Sequence, residues 1–137
     1  MTGLVVCVAV LVAASAYGAL QRRRSGRIRV RGRDEGRRLG VADLGEDLGE
    51  RATLVQFSSA FCAPCRATRR VLGEVAGVVP GVAHVEIDAE ARLDLVRELD
   101  ILKTPTVLVL DADGRIVRRA TGQPRKADVI AALGEAV

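Results

Sequence analysis

The chain has 137 residues, a length for one domain rather than two. Hydrophobic residues make up 49% but aromatics only 2%, so a core has to be packed from Val, Leu, Ile and Ala. The formal charge of +4 is uneven: residues 1–38 carry nine arginines against Asp34 and Glu35, a net +7, while the remainder carries twelve Lys and Arg against fifteen Asp and Glu, a net −3. Because the basic surface is not on the part that folds, nucleic acid is not expected as a partner.

Gly3 to Leu20 (GLVVCVAVLVAASAYGAL) is eighteen residues without a charge, at the short end of what spans a bilayer as a helix. Tyr17 lies near one end, where an aromatic suits the membrane interface. A transmembrane anchor, a cleaved signal peptide and a buried core helix all give such a run. A secretory signal has basic residues before its apolar part and a small-residue cleavage site after it. Here Met1-Thr2 precede the run and Gln21-Arg22-Arg23-Arg24 follow it, so an uncleaved single-pass anchor over 1–20 is the favoured reading. Lys and Arg collect on the cytoplasmic side, which puts the amino terminus outside and the rest of the chain in the cytoplasm. Cys7 reads as a small apolar residue of that helix, with no lipid-attachment pattern around it.

Residues 21–38 (QRRRSGRIRVRGRDEGRR) read as a basic Arg/Gly juxtamembrane linker. It either adheres to anionic headgroups of the lipid bilayer, at roughly 1 kcal/mol per basic residue, or simply fixes topology. Alternation in Arg27-Ile28-Arg29-Val30-Arg31 predicts one short strand.

Residues 39–137 have the composition of a folded domain. Apolar residues at 41, 44 and 48 predict a helix to about residue 50, despite Gly45 and Gly49. A strand at 53–57 is followed by a helix to about Ala76, a turn at Val79-Pro80-Gly81 and an alternating strand at 82–88. Asp88 is placed to cap a helix with Glu90 in its first turn and apolar Ala91, Leu95, Val96 and Leu99. Thr106 to Leu110 is a continuous apolar strand of the buried kind, Asp111-Ala112-Asp113-Gly114 a hairpin turn, and 115–120 a half-exposed antiparallel strand. A last helix is expected over 126–136, with Val129, Ile130 and Leu133 on one face. The order βαβαββα after an initial helix makes an α/β fold, a central mixed sheet with helices on both sides.

The chemistry lies in Ser58-Ser59-Ala60-Phe61-Cys62-Ala63-Pro64-Cys65-Arg66, between the first strand and its helix. Cysteines at i and i+3 share a helix face. Near a helix start, unpaired N–H groups and the positive end of the dipole favour a thiolate on Cys62, and Cys65 one turn on is placed to resolve a mixed disulfide. A zinc site would need two further ligands, and only Cys7 and His84 remain. Two inert core cysteines are the third reading.

The strand followed by Phe61-Cys62-Ala63-Pro64-Cys65-Arg66, together with Thr104-Pro105-Thr106 before a buried strand and Gly122 after the last strand, resembles the thioredoxin family over residues 39–137. The resemblance implies a thioredoxin-like fold and a protein-disulfide reductase in which Cys62 attacks and Cys65 resolves. It also implies a cis bond at Thr104-Pro105 and substrate contacts from Phe61, Ala63, Pro64, Thr104 and Pro105. The redox group would be the Cys62–Cys65 disulfide, with no metal and no other cofactor. The partners implied are protein disulfide substrates and an upstream thiol reductase or membrane electron donor. Two residues depart from the family: Gln56 stands where it has a buried aspartate and His84 where it has a nearby lysine. Gln56 hydrogen-bonds but is no base, and His84 either takes over proton transfer or only fills a strand position. An extracytoplasmic electron relay of the cytochrome-maturation type, which needs the opposite topology, and a non-enzymatic binding module on the same fold are the alternative functions.

Overall fold

Ala52–Ser58 is a run of seven residues, all buried, and it forms the strand on which the sheet is assembled. A computed structural model of the chain describes residues 1–24, 28–29, 34 and 36–137. Its elements are α1 (Thr2–Arg24), β1 (Ile28–Arg29), α2 (Val41–Leu44), β2 (Ala52–Ser58), α3 (Ala63–Val78), β3 (Val82–Asp88), α4 (Leu93–Glu98), β4 (Thr106–Asp111), β5 (Ile116–Thr121) and α5 (Lys126–Ala136). The strand order is β1-β5-β4-β2-β3. β2 runs parallel to β3, with Gln56 opposite Glu86, and antiparallel to β4, with Gln56 opposite Val107. The sheet is therefore mixed, and β2 is central because it has neither a polar face nor an open edge.

Alternation along the strands supplies a core on each face. Val55, Phe57, Val85, Ile87, Leu108 and Leu110 pack on one side with Leu44 of α2 and Leu95 of α4. Leu54, Val107 and Val109 pack on the other with Leu72 and Val75 of α3 and Val129 and Leu133 of α5. Phe57 is the single aromatic in either cluster, as the composition demands. Helices thus cover both faces, which is the thioredoxin-like arrangement expected.

Two helices differ from the sequence expectation. α2 ends after one turn because Gly45 adopts a left-handed conformation (φ 75°) and its N–H closes on the Val41 carbonyl. Leu48 still packs on the core, so the apolar spacing reported burial without a continuous helix. Asp88 caps no helix: its Oδ1 accepts the Glu90 N–H at 3.0 Å in a local turn, and α4 starts at Leu93. The strand at 82–88 matches its expected span, the ends of the other strands expected in 39–137 shift by at most one residue, and the last helix matches its expected span.

In the segment expected as a linker to residue 38, Ile28, Arg29, Asp34, Arg37 and Arg38 contribute to the fold. Ile28 and Arg29 pair antiparallel with Ala120 and Arg119 of β5. Arg38 bridges Arg115, and the Ile116 N–H donates to the Arg37 carbonyl at 3.1 Å. Between them Asp34 and Arg119, 3% and 5% exposed, form a two-pronged ion pair: Nε donates to Oδ2 at 2.8 Å and Nη2 to Oδ1 at 2.7 Å. The parallel fork geometry suits guanidinium and carboxylate. The rest of the short-strand expectation, Arg27, Val30 and Arg31, lies outside the described residues.

α1 is apolar on every side and exposes Leu4, Val5, Val10, Leu11 and Val12. Its span Thr2–Arg23 has a mean hydropathy of 2.3 with none of the most apolar stretch buried in the protein. Among the described residues it is the one helix long and apolar enough to cross a membrane.

Breaking the buried pair on one side should be severe, because the other charge is then left without compensation. Asp34→Ala in the detergent-solubilised full chain is expected to lower unfolding stability by about 3–5 kcal/mol. The double change Asp34→Leu with Arg119→Met should recover most of it. An unchanged denaturation midpoint for Asp34→Ala would show that the N-terminal strap is not fastened there.

Candidate active site

β2 delivers the chain to the site and α3 receives it. Phe61, at φ 59° in the left-handed region, turns the backbone between them at a cost of about 1–2 kcal/mol, and its ring is fully exposed. Cys62 then takes an extended conformation as the N-cap of α3, with Pro64 in the first turn where a missing N–H goes unnoticed. The sequence placed both cysteines inside the helix; the structure puts Cys62 just before it and Cys65 inside it. They are joined as a disulfide, with Cα atoms 5.2 Å apart. The Cys65 N–H donates to Cys62 Sγ at 3.2 Å, so the cap is sulfur.

The two sulfur-bearing residues have unlike surroundings. Cys65 lies on the inner face of α3 in line with Thr68, Leu72 and Val75, and is 1% exposed. Cys62 is half-buried at the rim, between the exposed Phe61 and Ala63. One partner is reachable from outside and the other is enclosed.

Behind Cys65 sits Gln56, wholly buried, with its amide fully used. Nε2 donates to the Cys65 carbonyl at 2.8 Å and to Ser58 Oγ at 2.9 Å, and Oε1 lies 3.1 Å from His84 Nε2. The carbonyl of Cys65 accepts only, which fixes the amide orientation; Oε1 then accepts only, so His84 Nε2 carries the proton. His84 is brought to Gln56, and Gln56 to the backbone of Cys65. The ring nitrogen facing Gln56 is a donor, so His84 holds the Gln56 amide in place. Burial pushes the His84 imidazole below its usual range; Glu86 opposes this, Arg69 adds to it and Glu46 opposes it in turn. Glu86 is itself clasped by Arg69 through a pair of hydrogen bonds.

The second wall is the loop before β4. The Thr104–Pro105 peptide bond is cis, and the Gly122 N–H donates to the Pro105 carbonyl at 2.8 Å. Ser59 Oγ and Thr104 Oγ1 are 2.8 Å apart and stitch this loop to the one carrying Phe61. A shallow groove of about 760 Å³ runs from Pro64 past Thr104 and Pro105 to Pro124. Of the residues singled out in the sequence, Pro64, Thr104 and Pro105 line this groove; Phe61, Cys62 and Ala63 lie at the adjoining start of α3, and Cys65 is enclosed behind them. Sequence reasoning missed Ser59 as the stitch between loops, and only its small hydroxyl in a turn hinted at it.

A family model described as thioredoxin matches residues 43–135. A thioredoxin of Mycolicibacterium smegmatis is 32% identical over 87 residues, covering 61% of this chain and 77% of that protein. A thioredoxin of Mycobacterium tuberculosis is 29% identical over 85 residues, covering 61% of this chain and 72% of that protein. Among solved structures, a thioredoxin from Nicotiana alata aligns with a TM-score of 0.57 at 24% identity, over 64% of this chain and 74% of that one. The Fasciola hepatica thioredoxin aligns with a TM-score of 0.57 at 20% identity, over 65% of this chain and 84% of that one. These two structural likenesses concern the fold. The family-model match begins at Asp43 and does not extend to α1.

The His84 environment gives a pH signature. Its folded-state value lies below the 6.5 of an open imidazole, so the unfolded chain takes up the proton first. The stabilisation is whole above pH about 6.5 and is lost as pH falls through the lower folded value. The melting temperature should drop less between pH 7.5 and pH 5 in His84→Gln, which keeps a donor for Gln56, than in the native chain. Identical pH slopes for the two proteins would contradict this account.

Proposed function

We propose that this chain, which belongs to the thioredoxin family, is a membrane-tethered oxidoreductase that reduces protein disulfides through Cys62 and Cys65. The carrying observation is the asymmetry of the pair, a reachable Cys62 at the helix cap and an enclosed Cys65 one turn inside. In the reduced protein, Cys62 Sγ as thiolate attacks one sulfur of a substrate disulfide. A mixed disulfide forms and the first substrate thiolate leaves, taking a proton from solvent. Cys65 Sγ, on losing its proton, attacks Cys62 Sγ and releases the second substrate thiolate. Two electrons and two protons pass to the substrate, and Cys62–Cys65 ends as the disulfide that the structure contains.

Local chemistry supports this division of labour. The Cys65 N–H aimed at Cys62 Sγ and the helix dipole behind it both favour negative charge on that sulfur. Phe61, Ala63, Pro64, Thr104 and Pro105 would make the substrate contacts, with an extended substrate chain lying along the cis-proline loop. A dithiol consumed in each cycle requires an upstream thiol reductase or a membrane electron donor.

The tether is α1. Arginines 22–24 follow its apolar run, which favours a cytoplasmic domain, a compartment whose thiol systems suit a reductase. A membrane-impermeant maleimide, applied to intact cells after an impermeant reductant, should label Cys62 and Cys65 only after lysis. Labelling before lysis would reverse the topology and favour an extracytoplasmic relay.

Activity is checked with the full chain in detergent and insulin as disulfide substrate. Cys62→Ser should abolish reduction, and Cys65→Ser should accumulate mixed disulfides visible on non-reducing gels. Undiminished insulin reduction by Cys62→Ser would sink the proposal.

A further inference from the structure

We infer that the groove beside the disulfide takes an extended acidic segment of the substrate protein; this rests on the oxidoreductase reading above and names its substrate class. The groove that begins at Pro64 and follows Thr104 and Pro105 is lined by four cations, Arg22, Lys103, Arg125 and Lys126, and among the described residues by no carboxylate. That sign is not inherited from the domain, whose residues 39–137 carry a net −3. Four positive side chains around one depression on an acidic body form a local field rather than a general basic surface.

Their pairing leaves that field available. Lys103 and Arg22 are exposed and have no carboxylate partner among the described residues. Arg125 lies 3.2 Å from Asp128 and Lys126 lies 3.4 Å from Glu74, both in solvent-exposed pairs of the kind that contribute little and exchange readily. Lys103 is the most telling of the four. Its carbonyl is held by Thr106 Oγ1, and the next residue, Thr104, is tied to Ser59 in the cysteine loop. The Lys103 backbone is therefore anchored at the mouth of the site, with its side chain directed by a fixed loop. Arg22 reaches the groove from the far end of α1, so the same field lies beside the segment proposed to enter the bilayer.

A peptide lying along the cis-proline loop meets these cations along the groove that starts at Pro64. Asp or Glu next to the substrate cysteine gains attraction there, and Lys or Arg meets repulsion. Anionic lipid headgroups are the competing occupant, and the test separates the two.

The full chain in phosphatidylcholine nanodiscs is pre-reduced, its two active-site thiols are counted, and single-turnover rates are measured with three peptides of equal length. Each peptide has one intrapeptide disulfide flanked by Asp/Glu, by Ser/Gln or by Lys/Arg. The expected order is acidic, neutral, basic, with roughly tenfold between the extremes at low salt and a smaller ratio at high salt. Lys103→Glu combined with Arg125→Glu should invert the order. Equal rates for all three peptides would overturn the inference while leaving the oxidoreductase reading intact. Charge reversal that weakens binding to phosphatidylserine vesicles without altering the peptide order would also overturn it, assigning the cations to the bilayer. Failure to reduce any peptide with both thiols counted as reduced would defeat the underlying reading itself.

Discussion

Everything in this molecule depends on β2 being buried on both faces. A strand enclosed by sheet neighbours and by helices above and below has no freedom of register, so the point at which it ends is fixed to within a fraction of a residue's rise. That end is where Phe61 turns the chain and Cys62 caps α3. The position of the disulfide is thus a property of the core, not of a loop. Gln56 extends the same constraint: as a wholly buried polar group it must be satisfied, and the backbone of Cys65, Ser58 and His84 satisfy it. The cost of burying an amide is offset by hydrogen bonds that tie the redox helix to the sheet.

The parts of the fold that were legible in sequence are those whose signal is local. β3, β4 and α5 announce themselves by alternation, by an unbroken apolar run and by helical spacing, and the cysteines by their separation at a strand–helix junction. What was not legible depends on contacts distant along the chain. Asp34 in an arginine-rich stretch looks like one acid in a solvated run, and only the fold brings it to Arg119 and buries both. Spacing at 41, 44 and 48 recorded correctly which side chains go inward but not that Gly45 would end the helix between them. The place of His84 was open for a similar reason. Parallel pairing of β2 with β3 sets Leu54 opposite it, and the contact with Gln56 is a diagonal one that only the register reveals.

The groove beside the cysteines has a different origin from the cysteine pair. Cys62 and Cys65 are arranged by secondary structure, whereas the cations come from α1, the loop before β4 and the start of α5. Three separate stretches supply one sign of charge to a single depression. Such convergence can change without disturbing the core, since each of the four side chains is solvent-exposed.

The fastening of Ile28, Arg29 and Asp34 to β5 also sets a length. Between Arg24, where α1 ends, and Ile28, where pairing with Ala120 begins, the backbone has four steps, at most about 14 Å of extended chain. Were Asp34 and β1 not attached, the span would reach to Arg37, whose carbonyl accepts from Ile116, and allow about three times that distance. With α1 in a bilayer, the domain would therefore hover within one protein diameter of the lipid and search a surface rather than a volume. Disulfides anchored in the same membrane would be met at a high effective concentration, and dissolved ones would gain nothing from the tether.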